Sequence, residues 1–148
     1  MKERSFKVVV SVVVLAFVFG AFPGSLVTVL ADSKPDVELI VKVNEKGFFD
    51  DKDKLLGPKN PLKVSKGQIV KIVFVFDEAM KSLAIGDVHQ IAITAEEWTV
   101  ESDKIWVFNR KANVTFLAGE NGRTHYRAYC IVDCIGMDHL NNLVIQVV

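Results

Sequence analysis

Both cysteines of the chain, one of its three histidines and one of its three methionines fall within eleven residues, Tyr129-Cys130-Ile131-Val132-Asp133-Cys134-Ile135-Gly136-Met137-Asp138-His139. Thiolate, imidazole and thioether are the donors that soft transition metals select, copper above all. A second histidine, His89, lies on the alternating stretch Val88 to Thr94, where it shares a face with Ile91 and Ile93. Two thiolates and two imidazoles are sufficient to hold copper or zinc. The pattern predicts a scaffold that presents the cysteine-rich loop to His89.

Each of these residues also has a plainer reading. His89 could be a buried, hydrogen-bonded histidine. Cys130 and Cys134 could pair as a disulfide if the chain is exported, although the short loop would be tight and His139 would be unexplained. His125 differs from Cys130 by an odd number of residues, so on a regular strand it faces the other way and is expected at the surface. Trp98 and Trp106 are expected to pack in the core or at its rim, and Glu96-Glu97 to form a solvated turn. There is no nucleophile elbow, phosphate loop or His-Glu-x-x-His helix, so hydrolase chemistry has no foothold.

The elements that must position the donors are short and extended. Val37 to Val43 alternates as a half-buried strand. Asn44 to Pro61, rich in Lys, Asp, Gly and Pro, reads as a long surface loop, with Phe48 and Phe49 either tucked back as a plug or left as a contact surface. Leu62 to Ser65 is a short strand ended by Lys66-Gly67. Gln68 to Phe76 reads as a central strand covered on both faces. Asp77 to Asp87 is a polar connection containing Met80. Further strands are expected at 88–94, 105–108, 112–117, 124–131 and 143–148, with a tight turn at Asn121-Gly122. Tyr126, Ala128 and Cys130 share one face. About eight strands, no convincing helix and no internal repeat imply an all-β antiparallel sandwich or barrel.

The 148 residues suffice for one domain with a real core, and the 50% hydrophobic content is rich in Val and Phe, which favour strands. Formal net charge is zero, so nothing implies attraction to nucleic acid. Residues 1–31 stand apart: Lys2, Arg4 and Lys7 precede an uncharged apolar run from Val8 to Ala31. This is either a signal peptide, with Val29-Leu30-Ala31 as its small-residue cleavage site, or a single membrane anchor. Both place residues 32–148, the single folded domain, outside the cytoplasm. Setting aside three basic residues and Glu3 from the 18 and 18 of the whole chain leaves 15 basic against 17 acidic, a net charge of −2.

Three stretches resemble the cupredoxins, and specifically the CuA domain of cytochrome c oxidase subunit II and nitrous oxide reductase. Gly86-Asp87-Val88-His89-Gln90-Ile91-Ala92-Ile93 is similar to the family's Asp-Val-x-His segment, shortened by one residue. Val114 to Ala118 followed by Tyr126 to Cys130 resembles the strands that lead into the metal loop. Cys130-x-x-x-Cys134 has the spacing of the two bridging cysteines. Leu62 to Phe76 resembles the general cupredoxin strand pair, and the likeness spans nearly all of residues 37–148.

The resemblance implies a Greek-key copper protein that moves single electrons. In it Cys130 and Cys134 bridge two coppers, His89 and His139 ligate one each, and the Val132 carbonyl is a weak ligand. The loop also departs from the family. Four residues, not three, separate Cys134 from His139, and Asn142 stands where the family has its weak methionine ligand. Met137 is then either the axial ligand or a core gap-filler. The aromatic Trp-Tyr-Trp run of oxidase subunits is missing. The resemblance therefore leaves open a CuA-like dinuclear centre, a mononuclear type 1 site, and an extracytoplasmic copper carrier or sensor. It implies a redox partner protein, and the chain is either a free carrier or the electron-entry subunit of a membrane oxidase complex or nitrous oxide reductase.

Overall fold

The computed structural model describes residues 34–80, 87–132 and 138–148, with the side chains of Asp138 and His139 outside that description. The leader lies outside the described residues as well. Among the described residues, nine strands form two sheets. The first sheet has the order β2 (Gly47–Phe49), β1 (Val37–Asn44), β4 (Ile69–Phe76), β7 (Lys111–Leu117). The second has the order β3 (Leu62–Val64), β9 (Leu143–Val147), β8 (His125–Cys130), β5 (Ile91–Ala95), β6 (Trp98–Glu101). Helical structure among the described residues is confined to two 3-10 turns, Glu120–Gly122 and Asp138–Asn141.

Alternation decides which face of each strand is buried. Val70, Ile72, Phe74 and Phe76 of β4 point inward together with Val41 and Val43 of β1 and Ala112, Val114 and Phe116 of β7. They meet Ile91 and Ile93 of β5, Tyr126 and Ala128 of β8, and Leu143 and Ile145 of β9. Burying such side chains is worth about 1.5–3 kcal/mol each, so this layer holds the two sheets face to face. The β4 run is covered on its inner face only. The residues between, such as Lys71 and Val73, are half-buried, which corrects the expectation of a strand sandwiched on both sides.

Three further expectations are corrected. The sheets are mixed rather than antiparallel: β1 runs parallel to β4, and β3 parallel to β9. Residues 44–61 contain a strand, β2, that returns on β1, and Phe48 is buried as the plug. Trp98 opens β6, because Ala95 pairs with Trp98 across the two-residue turn Glu96-Glu97. By contrast, residues 105–108 do not form a strand. Ile105 bridges His89, and Trp106 and Asn109 then exchange backbone hydrogen bonds around a tight turn.

The sandwich has two poles. At one, Asp36 caps the entry to β1 by bonding Ile69 in both directions, with its N–H donating to Ile69 O at 2.9 Å and its Oδ2 accepting from Ile69 N at 2.8 Å. Here the Tyr126 hydroxyl accepts the Gly119 N–H at 3.0 Å, and Tyr126 packs on Trp98 and Phe116 with ring centroids 5.5 and 5.0 Å away. Gly119 takes a φ of +77°, and a Cβ there would lie 2.8 Å from Lys66 Cγ, so a glycine suits this turn. The opposite pole carries the ends of β4 and β8. Replacing Tyr126 with Phe keeps the ring packing but strips the Gly119 N–H of its acceptor. We expect a loss of about 1 kcal/mol, read as a lower urea midpoint with an unchanged m-value.

Candidate metal centre

The His89 side chain is fully buried and three elements hold it. Its backbone exchanges two hydrogen bonds of 2.8 Å with Ile105, which fixes the strand's register just before β5. Its ring stacks on Phe76, the last residue of β4, with centroids 6.0 Å apart and planes 23° from parallel. Its third neighbour is Cys130. In the β5–β8 ladder Ile91 sits opposite Cys130, so His89, two residues before Ile91, lies diagonally across on the same inward face. The ladder continues past the strand end through Ile131 N–H to Gln90 O at 2.9 Å.

The result is a convergence of donor atoms. His89 Nδ1 is 3.6 Å from Cys130 Sγ, and the Val132 carbonyl oxygen is also 3.6 Å from that sulfur. Cys130 is a free thiol. A nitrogen and a sulfur bound to one tetrahedral metal, at bond lengths of ~2.0 and ~2.3 Å, are themselves about 3.5 Å apart. The observed separation of 3.6 Å matches that spacing. It equally fits the thiol–imidazole hydrogen bond that links the pair in the protein alone.

Burial would raise the Cys130 thiol, because desolvation disfavours the thiolate. Its hydrogen bond with His89, backbone hydrogen bonds at Gln90 and Val132, and the charge of the His89 ring together outweigh that, and Cys130 is held below the ordinary thiol range. A lowered pKa favours the thiolate, the form that binds soft metals.

Of the six expected metal residues, the structure brings three together: His89, Cys130 and the carbonyl of Val132. Cys134 and Met137 lie outside the described residues. His139 has its backbone in the Asp138–Asn141 turn, one residue before Leu140, which is fully buried and seats that turn against β8. Asn142 is exposed. Among the described residues no group of three or more His, Cys, Asp and Glu side chains clusters as a cation site. His125 is exposed, as its parity implies, and contacts Thr124 Oγ1 through Nδ1 at 3.0 Å.

The sequence reading missed the supports. Buried Ser102 accepts the Ile91 N–H at 3.0 Å and donates to Asp103 O at 2.8 Å, while its own N–H bonds Ile91 O at 2.8 Å. It locks the start of β5, two residues from His89. No local pattern marks Ser102, Ile105 or Phe76 for this role, since each acts through a partner distant in sequence.

No family model and no curated protein sequence matches the chain. Its likeness to known proteins is one of structure. Auracyanin B superposes with a TM-score of 0.52 at 12% identity, covering 79% of this chain and 92% of that one. A multicopper oxidase superposes with a TM-score of 0.47 at 12% identity, covering 78% of this chain and 45% of that one. The fold is thus a cupredoxin-like β-sandwich.

The contacts of Cys130 carry a testable consequence for the metal-free protein. In a Cys134→Ser background, the thiolate absorbance of Cys130 should reach half its amplitude below the ordinary thiol range, and His89→Ala should move that point upward. Because folding lowers this pKa, the stability it contributes is full above the unfolded thiol value. That contribution is lost as pH falls through the folded value.

Proposed function

We propose that this cupredoxin-like domain is an extracytoplasmic copper protein that carries single electrons, with Cys130 and His89 at the heart of its site. The observation that carries the reading is the 3.6 Å approach of a buried imidazole to a thiol across two paired strands. Soft sulfur beside imidazole selects copper over the harder divalent metals. Bound there, copper would supply a one-electron couple.

The chain's own residues set the conditions for that couple. The Cys130 thiol is already depressed, so little is lost in presenting it as thiolate. The His89 ring stacks on Phe76 and its backbone is fixed by the Ile105 bridge, which restricts its movement when charge changes. Phe76, Ile91 and Ile105 exclude water from the inner side of the pair, and a dry surround tunes potential.

The finer assignment rests on the loop. Cys130-x-x-x-Cys134 with His139 downstream favours two coppers bridged by both sulfurs, with Val132 O as a weak ligand and Met137 available on the same loop. A type 1 site with a single cysteine ligand is the competing form, and the altered Cys134-to-His139 spacing is what favours it. The apolar run 8–31 supports export, by either a cleaved leader or a tether.

Addition of Cu(II) to the reduced protein should produce an intense thiolate-to-copper band. Purple colour with hyperfine structure from two equivalent coppers marks the dinuclear site, and blue colour with one copper nucleus marks type 1. Cys130→Ser should abolish the band in either case. Cys134→Ser should abolish the purple spectrum but spare a blue one. A wild-type protein that binds copper without such a band is a carrier rather than an electron-transfer protein.

A further inference from the structure

The return of β2 on β1 forms a cavity that shares no residue with the His89–Cys130 pair. It has a volume of about 400 Å³ and lies between the 46–60 excursion and Asn142. Phe48, Leu55, Leu56 and Pro58 give it an apolar lining. Phe48 and Leu56 are buried, whereas Leu55 is 54% exposed, a large apolar side chain left in water beside an apolar recess. Backbone pairing holds the walls. Leu56 N–H donates to Phe48 O at 2.8 Å, Gly57 and Asn60 exchange two hydrogen bonds of 3.0 Å, and Asn60 Nδ2 donates to Leu55 O at 2.9 Å. At Gly57 a Cβ would meet Asn142 O at 3.4 Å, so the excursion lies close against the chain leaving the Asp138–Asn141 turn. A recess walled in this way is formed before any ligand arrives.

The charges at this cavity have one sign. Lys46 and Lys59 line it, both exposed, and no Asp or Glu does. Among the described residues neither ammonium joins an ion pair; the pairs are Lys42–Asp53 and Lys71–Glu38. The groove on the outer face of β1 and β4 differs in this respect. Ile40 and Val75 line that groove together with Lys42, Asp53 and Asp77, and its lysine is already neutralised by Asp53 at 2.7 Å.

We propose that the cavity between the 46–60 excursion and Asn142 binds a small organic carboxylate with an apolar body, the body against Phe48, Leu55 and Leu56 and the carboxylate held by the Lys46 and Lys59 ammoniums. The volume falls in the range of pockets that enclose small ligands, roughly 300 to 1,000 Å³. An inorganic anion would leave the apolar lining in water, and a neutral hydrocarbon would leave two ammoniums without a counter-charge. A carboxylate on an apolar body meets both demands. Burial of the body supplies most of the affinity, about fourfold for each methylene-sized group, and the lysines select the charged form. Nothing in this site requires copper, so its occupancy is independent of the copper reading.

The test uses the full chain, isotopically labelled, with its leader held in phosphatidylcholine nanodiscs and empty discs as the reference. The probe is naphthoate, with naphthamide and inorganic phosphate for comparison. Naphthoate should move the amides of Gly47, Phe48, Leu55 to Gly57, Lys59, Asn60 and Asn142. It should bind about fivefold more tightly than naphthamide at low salt, and the difference should shrink as salt is raised. Lys46→Gln combined with Lys59→Gln should remove that difference and leave naphthamide binding unchanged. Leu55→Ser should weaken both ligands about fivefold, whereas Ile40→Ser, at an exposed apolar residue outside the cavity, should change neither. All four positions are exposed, so unshifted strand amides verify that each variant is folded. Equal affinity for naphthamide, phosphate that binds as tightly as naphthoate, shifts centred elsewhere, or an unaffected Leu55→Ser would overturn the proposal. A concentration-dependent dimer that moves the same amides without ligand would assign the cavity to a second copy of the chain instead.

Discussion

The arrangement around His89 depends on one backbone constraint. An imidazole with no solvent contact must have its polar atoms met from within the protein. Cys130 meets the ring at Nδ1, and two backbone hydrogen bonds with Ile105 hold the residue in that position. The Ile105 pairing fixes the register, and register decides the face: a slip of one residue would turn His89 to solvent and Val88 to the core. Ser102 holds the neighbouring Ile91 backbone in place, so the short segment ahead of β5 is tied on one flank to residues 102–105 and on the other to β8.

The scaffold separates two tasks between its poles. The Tyr126 pole, with its Trp98–Phe116–Tyr126 cluster and the Gly119 hydrogen bond, joins the two sheets and receives the incoming chain. The other pole carries the His89–Cys130 donor pair. There β4 ends on Phe76 under the His89 ring, β8 ends on Cys130, and the inward residues Tyr126, Ala128 and Cys130 run along β8 as one line from the first pole to the second. A donor pair attached to both sheets can shift only if the sandwich itself shifts, and close-packed interiors resist that. The same rigidity is what an electron-transfer site requires.

The parallel pairing of β1 with β4 and β3 with β9 has a physical cause that local pattern does not carry. Short antiparallel hairpins announce themselves by their turns, as at Glu96-Glu97 between β5 and β6. Parallel neighbours are joined by long connections, here residues 45–68 between β1 and β4, and nothing in such a connection states the order in which strands will lie. The 105–108 segment was misread for a related reason. Its apolar alternation resembles a strand, but the chain turns at Val107-Phe108 before a ladder can form, leaving the alternate residues Trp106 and Phe108 in solvent rather than buried.

Side-chain types and period-two alternation were sufficient to place His89 with Ile91 and Ile93 on one face, Tyr126, Ala128 and Cys130 on another, His125 outside, and the whole in an all-β class. Those are local properties, fixed by the geometry of an extended backbone one residue at a time. Which faces confront each other was decided by tertiary structure alone. The approach of His89 to Cys130, the Phe76 ring beneath it, the Ser102 and Ile105 supports and the exposed aromatic turn all arise from pairings between residues far apart in the chain. Their register is set by the packing of the two sheets, a sum over many buried contacts that no single stretch of sequence contains.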